Sequence, residues 1–252
     1  MAADRRALPA RVGRAFQSLG VLAFWLLVWQ LASSAMGIEL LLPGPAATAR
    51  ALWRAAGEPS FWQTAGMSVL RVLAGFAAGA LAGALLAAAT SFSRVCSALL
   101  SPMIRVIRAT PVASFIILAL LWLKSTILPG FIAALMVLPV VWGNLAEGIA
   151  KTDRALLEMG QVYGFSPWKT LRLIYLPSLR PWFRSACLTS LGLAWKSGVA
   201  AEVLCQPKLA IGTQLYYGKI YLETDRLFAW TAVVIVLSVL LERLLRRLLR
   251  RV

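Results

Sequence analysis

Residues 153–177 read Asp-Arg-Ala-Leu-Leu-Glu-Met-Gly-Gln-Val-Tyr-Gly-Phe-Ser-Pro-Trp-Lys-Thr-Leu-Arg-Leu-Ile-Tyr-Leu-Pro, a polar island between two long apolar segments. The run divides into a helix, a break and a second helix. Gly164 suits the end of the first helix, where the chain often needs a left-handed residue. Ser166 is placed to cap the second helix and Pro167 fits its first position, where a missing N–H costs nothing. Two short amphipathic helices standing off an apolar body are shaped to dock in a groove of another protein. A hairpin lying flat on a membrane surface is the other reading of the same residues.

The surroundings decide what kind of body this is. Of 252 residues, 60% are hydrophobic and 14% charged, with a mean hydropathy of +0.76, whereas soluble domains carry about 25% charged residues. Such a chain belongs in lipid, where only helices or closed barrels leave no backbone group unpaired. Long apolar runs in place of alternation select helices. The expected fold is therefore all-α, a polytopic membrane bundle of about six transmembrane helices.

Six apolar segments carry that expectation, at about 18–36, 63–90, 98–123, 127–149, 181–204 and 227–245. The first follows a basic arm, residues 1–17, and exceeds the 7–15 residue core of a cleaved leader, so it is read as retained. In the second, Gly75, Gly79 and Gly83 share one face and form a packing seam, within the subunit or between subunits. Pro102 and Pro111 are expected to break the third, and Pro139 to kink the fourth. The transmembrane body is placed at 18–245, with a loop at about 151–180 and a basic tail at 246–252.

A net charge of +16 in a soluble protein would suggest nucleic acid. Here the basic residues flank apolar segments and match the membrane surface instead, so no nucleic-acid partner is expected. With both termini cytoplasmic, Arg5, Arg6, Arg11, Arg14, Arg94, Lys151, Arg154, Lys169, Arg172, Arg180, Arg184 and the tail residues Arg243, Arg246, Arg247, Arg250 and Arg251 lie inside. Arg50, Arg54, Lys124, Lys208, Lys219 and Arg226 lie outside. Sixteen against six favours this orientation by the positive-inside rule and puts the 151–180 loop in the cytoplasm.

Histidine is absent, and Cys96, Cys187 and Cys205 lack metal-ligand spacing, so neither a metal site nor a disulfide framework is expected. There is no convincing nucleophile and base pair for an embedded enzyme. Ionisable groups in apolar segments are functional candidates by default. Arg71, Arg105, Arg108, Lys196 and Glu202 are such candidates; Lys196, Glu202 and Arg71 are the ones expected to line a polar path through the lipid, and a place near the cytoplasmic entrance is the other reading of Arg105 and Arg108. Such groups also snorkel to an interface or pair with one another.

The spacing of Glu158, Gly164, Ile174, Leu176 and Pro177 resembles the EAA motif of binding-protein-dependent ABC importer permeases, with Met159 and Gly160 in place of the two alanines. Leu42-Pro43-Gly44-Pro45, Ser68 to Phe76, Arg108-Ala109-Thr110-Pro111, and Ala194-Trp195 with Ala201-Glu202 are similar to the nitrate, sulfonate and taurine branch. The resemblance implies a type I importer permease fold in the bacterial inner membrane and a transporter subunit that is not itself an enzyme. It implies an ATPase-coupling loop made by Glu158, Met159, Gly160, Tyr163, Gly164, Phe165, Ile174, Leu176 and Pro177. It implies partners: an ABC ATPase dimer that binds ATP and Mg, an external solute-binding protein, and a second permease copy in a homodimer within the lipid. No phosphate-binding loop occurs here, so the chain itself is expected to bind no cofactor. The implied solute is nitrate, a sulfonate, taurine or a pyrimidine precursor. A membrane scaffold, or an embedded enzyme without an ATPase partner, is the alternative function.

Overall fold

The structure, a computed structural model, describes residues 7–38 and 40–250, with side chains from residue 20 onward. Arg5, Arg6 and Arg251, and the side chains of Arg11 and Arg14, lie outside the described residues. From Ala7 on, the arm expected at 1–17 is already helix. The described chain forms eleven α-helices: α1 (Ala7–Met36), α2 (Pro45–Ala56), α3 (Pro59–Phe92), α4 (Arg94–Ala109), α5 (Val112–Ala119), α6 (Leu128–Ala150), α7 (Arg154–Val162), α8 (Pro167–Thr170), α9 (Leu176–Cys205), α10 (Ile211–Ile220) and α11 (Thr224–Leu248). A π-helical turn, Leu171–Tyr175, joins α8 to α9.

Helix α6 lies between α3 and α9 and makes the main packing of the bundle. The glycine seam is internal: a Cβ on Gly79 would come within 2.5 Å of the Ala134 carbonyl oxygen, and one on Gly83 within 2.7 Å of that of Leu138. Gly75 sits on the Gly130 carbonyl in the same way. Bare glycines let two backbones approach closely enough for dispersion to hold helices that lipid would otherwise surround equally well. On the other flank, Trp195 of α9 is 1% exposed and its indole N–H donates to the Val234 carbonyl of α11 at 3.1 Å.

Three described helices, α3, α6 and α11, are long and apolar enough to cross a bilayer, and α4 with α5 makes a fourth if a bend of 103° is counted within one span. Of the other two expected segments, the apolar part of α1 is Gly20–Met36. Helix α9 has the length, but Arg180, Arg184, Lys196 and Glu202 dilute its apolarity.

The break expected in the third segment falls at Pro111 and not at Pro102. Pro111 does end α4, after an extended Thr110 (ψ 133°) whose hydroxyl donates to the Val106 carbonyl at 2.9 Å. Pro102 does not break its helix; α4 continues through it and is anchored two residues later by buried Ile104. Pro139 lies inside an uninterrupted α6. A proline removes a single hydrogen bond, and packing on either side decides whether the helix continues. The Leu42 to Pro45 turn is fixed from α1, where Ser33 Oγ donates to the Leu42 carbonyl at 2.8 Å and Trp29 Nε1 to that of Pro43 at 3.1 Å.

Candidate functional site

The loop that follows α6 is built by local rules. Asp153 caps α7 by accepting from the Ala155 N–H at 2.9 Å. The helix closes at Gly164, which is left-handed at φ +63°, with the Phe165 N–H donating back to the Gly160 carbonyl at 2.8 Å. Ser166 Oγ accepts from the Lys169 N–H at 3.3 Å, and Pro167 opens α8. These are the roles expected of Gly164, Ser166 and Pro167.

The loop's residues divide into an internal brace and an exposed tip. Gly160 is buried, and a Cβ there would stand 3.0 Å from Ile174 Cδ1. Ile174 is 3% exposed. Phe165 is half-buried, with the Lys169 ammonium 4.4 Å from its ring centroid. Glu158, Met159, Tyr163 and Gly164 face outward, as do Leu176 and Pro177 at the start of α9. Val162, Tyr163 and Trp168 are 84%, 72% and 69% exposed, an apolar tip without an internal partner.

The joint between this loop and α9 is loosely built. In the π turn the Leu176 N–H reaches back five residues to the Leu171 carbonyl. Pro177 and Pro181 supply no donor to the ladder, and Ser178 Oγ donates to the Ile174 carbonyl at 2.7 Å. Beside the turn lies an apolar cleft of about 350 Å³ between Ala84, Ala88 and Phe92 of α3, Leu145 and Ile149 of α6, and the first turns of α9.

At the other end of α9 the ionisable groups are arranged quite differently. Glu202 is fully buried. Its Oε2 accepts from Ser68 Oγ at 2.8 Å and from the Gly212 N–H at 3.1 Å. Its Oε1 pairs with Arg71 Nη1 at 3.4 Å. Arg71 in turn donates to the Lys208 and Leu209 carbonyls at 2.8 and 2.9 Å, and Ser68 Oγ accepts from the Ile211 N–H at 2.9 Å. The carboxylate thus caps α10 from a neighbouring helix, favourably placed at the positive end of the helix dipole. The arginine holds the α9–α10 loop, which contains the left-handed residues Gln206 and Leu209. Lys196, six residues earlier on α9, joins none of this. It lies on an exposed stripe with Ser185, Thr189, Leu193 and Ala200.

The structure therefore brings Arg71 and Glu202 together and leaves Lys196 apart. Sequence reasoning missed Ser68 and Gly212, although Ser68 stands one helical turn before Arg71 and so shares its face. It also missed α2 and α10. Pro45 was an available signal for α2, since proline favours the first helical position.

Comparison with known proteins completes the description of the site. Residues 75–252 match the model of the family described as the binding-protein-dependent transport system inner membrane component. The chain is 31% identical over 219 residues to the putative aliphatic sulfonates transport permease protein SsuC of Escherichia coli K12, covering 85% of this chain and 81% of that one. It is 29% identical over 235 residues to the taurine transport system permease protein TauC of the same organism, covering 89% and 84%. In fold it is similar, with a TM-score of 0.60 and 16% identity over 97% of this chain and 99% of the other, to a chain of a bacterial ABC transporter involved in the import of the acidic polysaccharide alginate.

Proposed function

The chain belongs to the family of binding-protein-dependent transport system inner membrane components, and from that premise we propose how its parts divide the work. It is the permease subunit of an ABC importer, a transporter component and not an enzyme. In such a system the ATPase and the solute-binding protein are separate chains, so ATP and Mg belong to the ATPase. In our reading two identical copies of this chain form the path, with both termini in the cytoplasm and the 151–180 loop facing the ATPase pair.

The observation that carries this reading is the split within the loop. Gly160, Phe165 and Ile174 brace it internally, while Val162, Tyr163 and Trp168 offer an apolar tip to a partner. An exposed apolar cluster on otherwise polar short helices fits a groove on another protein. ATPase closure then moves Glu158 to Trp168 as one piece and transmits the displacement through the π turn to α9. A partner drives such a switch only by binding its two states differently.

The path runs along the exposed stripe of α9. An unpaired lysine facing hydrocarbon costs about 3 kcal/mol on insertion scales, so Lys196 faces a water-filled path that the second copy closes. Arg71 and Glu202 serve as a clamp outside it. The solute is a small sulfonate or taurine-like molecule, supported by the relatives and by the positive charge of Lys196. A photo-crosslinker at Tyr163, in membranes holding the whole importer, is expected to capture an ATP-hydrolysing chain. Efficient capture at an exposed position of α11 and none at Tyr163 would overturn the docking assignment.

A further inference from the structure

Arg108 stands at the last turn of α4, immediately before the break at Thr110–Pro111. Its guanidinium lies over Gly143 of α6, where a Cβ would meet Nη2 at 3.3 Å. Gly143 is seven residues before the end of α6, about 10 Å along the helix at 1.5 Å per residue. The charged head therefore lies about 10 Å from the end of α6 along its axis, on an exposed face of the bundle. It makes no ion pair or side-chain hydrogen bond among the described residues.

The face of α6 on which it rests holds Met136, Val140, Gly143, Asn144 and Glu147, all partly or fully exposed and opposite the seam that Ala134, Val137 and Leu138 make with α3. Glu147 is taken, since Lys151 Nζ pairs with it at 2.7 Å. Arg108 thus contributes an uncompensated positive charge. Lys196 contributes another. A Cβ on Gly198 of α9 would lie 3.7 Å from the Pro129 carbonyl oxygen of α6, which sets the level of Lys196 about 18 Å from that of Gly143 along the axes.

We propose that Arg108 and Lys196 are two successive contacts for an anionic solute, one at each end of the path, with Gly143 kept bare to seat the guanidinium. This rests on the reading of α9 as path-lining, and it adds a second station and a charge requirement. Two separated weak contacts suit conduction, because a solute held by both charges at once would bind too well to leave.

The test uses membranes carrying the whole importer and two thiol reagents of similar size, the anionic 2-sulfonatoethyl and the cationic 2-trimethylammonioethyl methanethiosulfonates. Cysteine is introduced as Asn144→Cys or Leu193→Cys, with the unsubstituted chain as blank for Cys96, Cys187 and Cys205. After correction for intrinsic reactivity, the anionic reagent is expected to react about tenfold faster at both positions. Arg108→Gln abolishes the preference at Asn144→Cys alone, Lys196→Gln abolishes it at Leu193→Cys alone, and Arg108→Lys retains it. Equal rates for the two reagents, a preference indifferent to both substitutions, or no labelling above the blank would overturn the proposal. Capture of the ATPase at Tyr163 in the same membranes separates this failure from a failure of the docking reading.

Discussion

The two ends of α9 differ in how they are tied to the rest of the protein. At the Glu202 end, a buried carboxylate, an arginine and a serine tie three elements together, and each polar atom is spoken for by a partner 2.8–3.4 Å away. At the Leu176 end, a π turn, two prolines and an apolar cleft leave the same helix joined to its neighbours mainly by dispersion. A rod fixed at one end and compliant at the other behaves as a lever. On the docking proposed for α7 and α8, displacement applied there would tilt α9 about its clamp and sweep the stripe that carries Lys196, without unfolding the bundle.

The sharpest way to break this contrast is to cut the clamp. Glu202→Ala leaves the Arg71 charge, the Gly212 N–H and the Ser68 hydroxyl without their shared partner in a buried site. Removing one member of a buried pair costs about 3–5 kcal/mol, or about 10 °C in the unfolding midpoint of a chain this size. Tryptophan fluorescence of the purified importer during heating measures it. Glu202→Gln, which keeps the shape and some hydrogen bonds, should lose less. An Ala variant with an unchanged midpoint would mean that the clamp is not rigid.

At the other end the largest loss should be of function and not of fold. Gly164→Val forces a β-branched side chain into a left-handed conformation, costing about 1–2 kcal/mol, in a tight turn whose shape sets the angle between α7 and α8. Solute uptake by proteoliposomes is expected to fall at least tenfold, and the ATPase to lose its response to loaded binding protein. The unfolding midpoint should move by only a few degrees. Uptake at the normal rate from normally expressed Gly164→Val protein would remove the loop from the coupling chain.

If compliance at the π turn is used, filling the cleft should trade activity for stability. Ala88→Leu adds apolar atoms facing Leu171, Tyr175 and Leu179 and is expected to add about 1 kcal/mol of packing. It should raise the midpoint by a few degrees and lower uptake. A variant that gains stability and transports at the full rate would show that the cleft is incidental.

The contrast also explains which parts of the molecule were legible beforehand. Gly164, Ser166 and Pro167 could be placed from sequence because capping and left-handed geometry depend on residues within one turn. The glycine seam was visible as a four-residue period, but its partner was not: only three-dimensional packing shows that the facing surface is Gly130, Ala134 and Leu138 of the same chain. Arg71 and Glu202 stand 131 residues apart, so their pairing was only one of several open readings. The break expected at Pro102 failed for the converse reason, since buried Ile104 holds the helix together across a local defect. The π turn has no clear local signature; its Leu176 N–H reaches back to the Leu171 carbonyl immediately before the donorless Pro177.

The smallest effect expected is also the most diagnostic. Ser178 Oγ donates to the Ile174 carbonyl at 2.7 Å, next to the π turn and between two prolines that cannot supply a backbone donor there. A single hydrogen bond is worth about 1 kcal/mol net, so Ser178→Ala should shift the unfolding midpoint by no more than about 3 °C. Its effect on uptake depends on what the joint does. In a rigid strut the loss of one bond would leave transport proportional to the folded fraction, which barely changes. In a lever that flexes at this turn, the Ile174 carbonyl is reorganised in every cycle, and removing its partner alters the relative energies of the two positions. Uptake per folded transporter should then change by a factor of about 5, the equivalent of 1 kcal/mol, while the binding protein's affinity for solute stays as it was. Ser178→Thr, which keeps the hydroxyl, should restore the original rate.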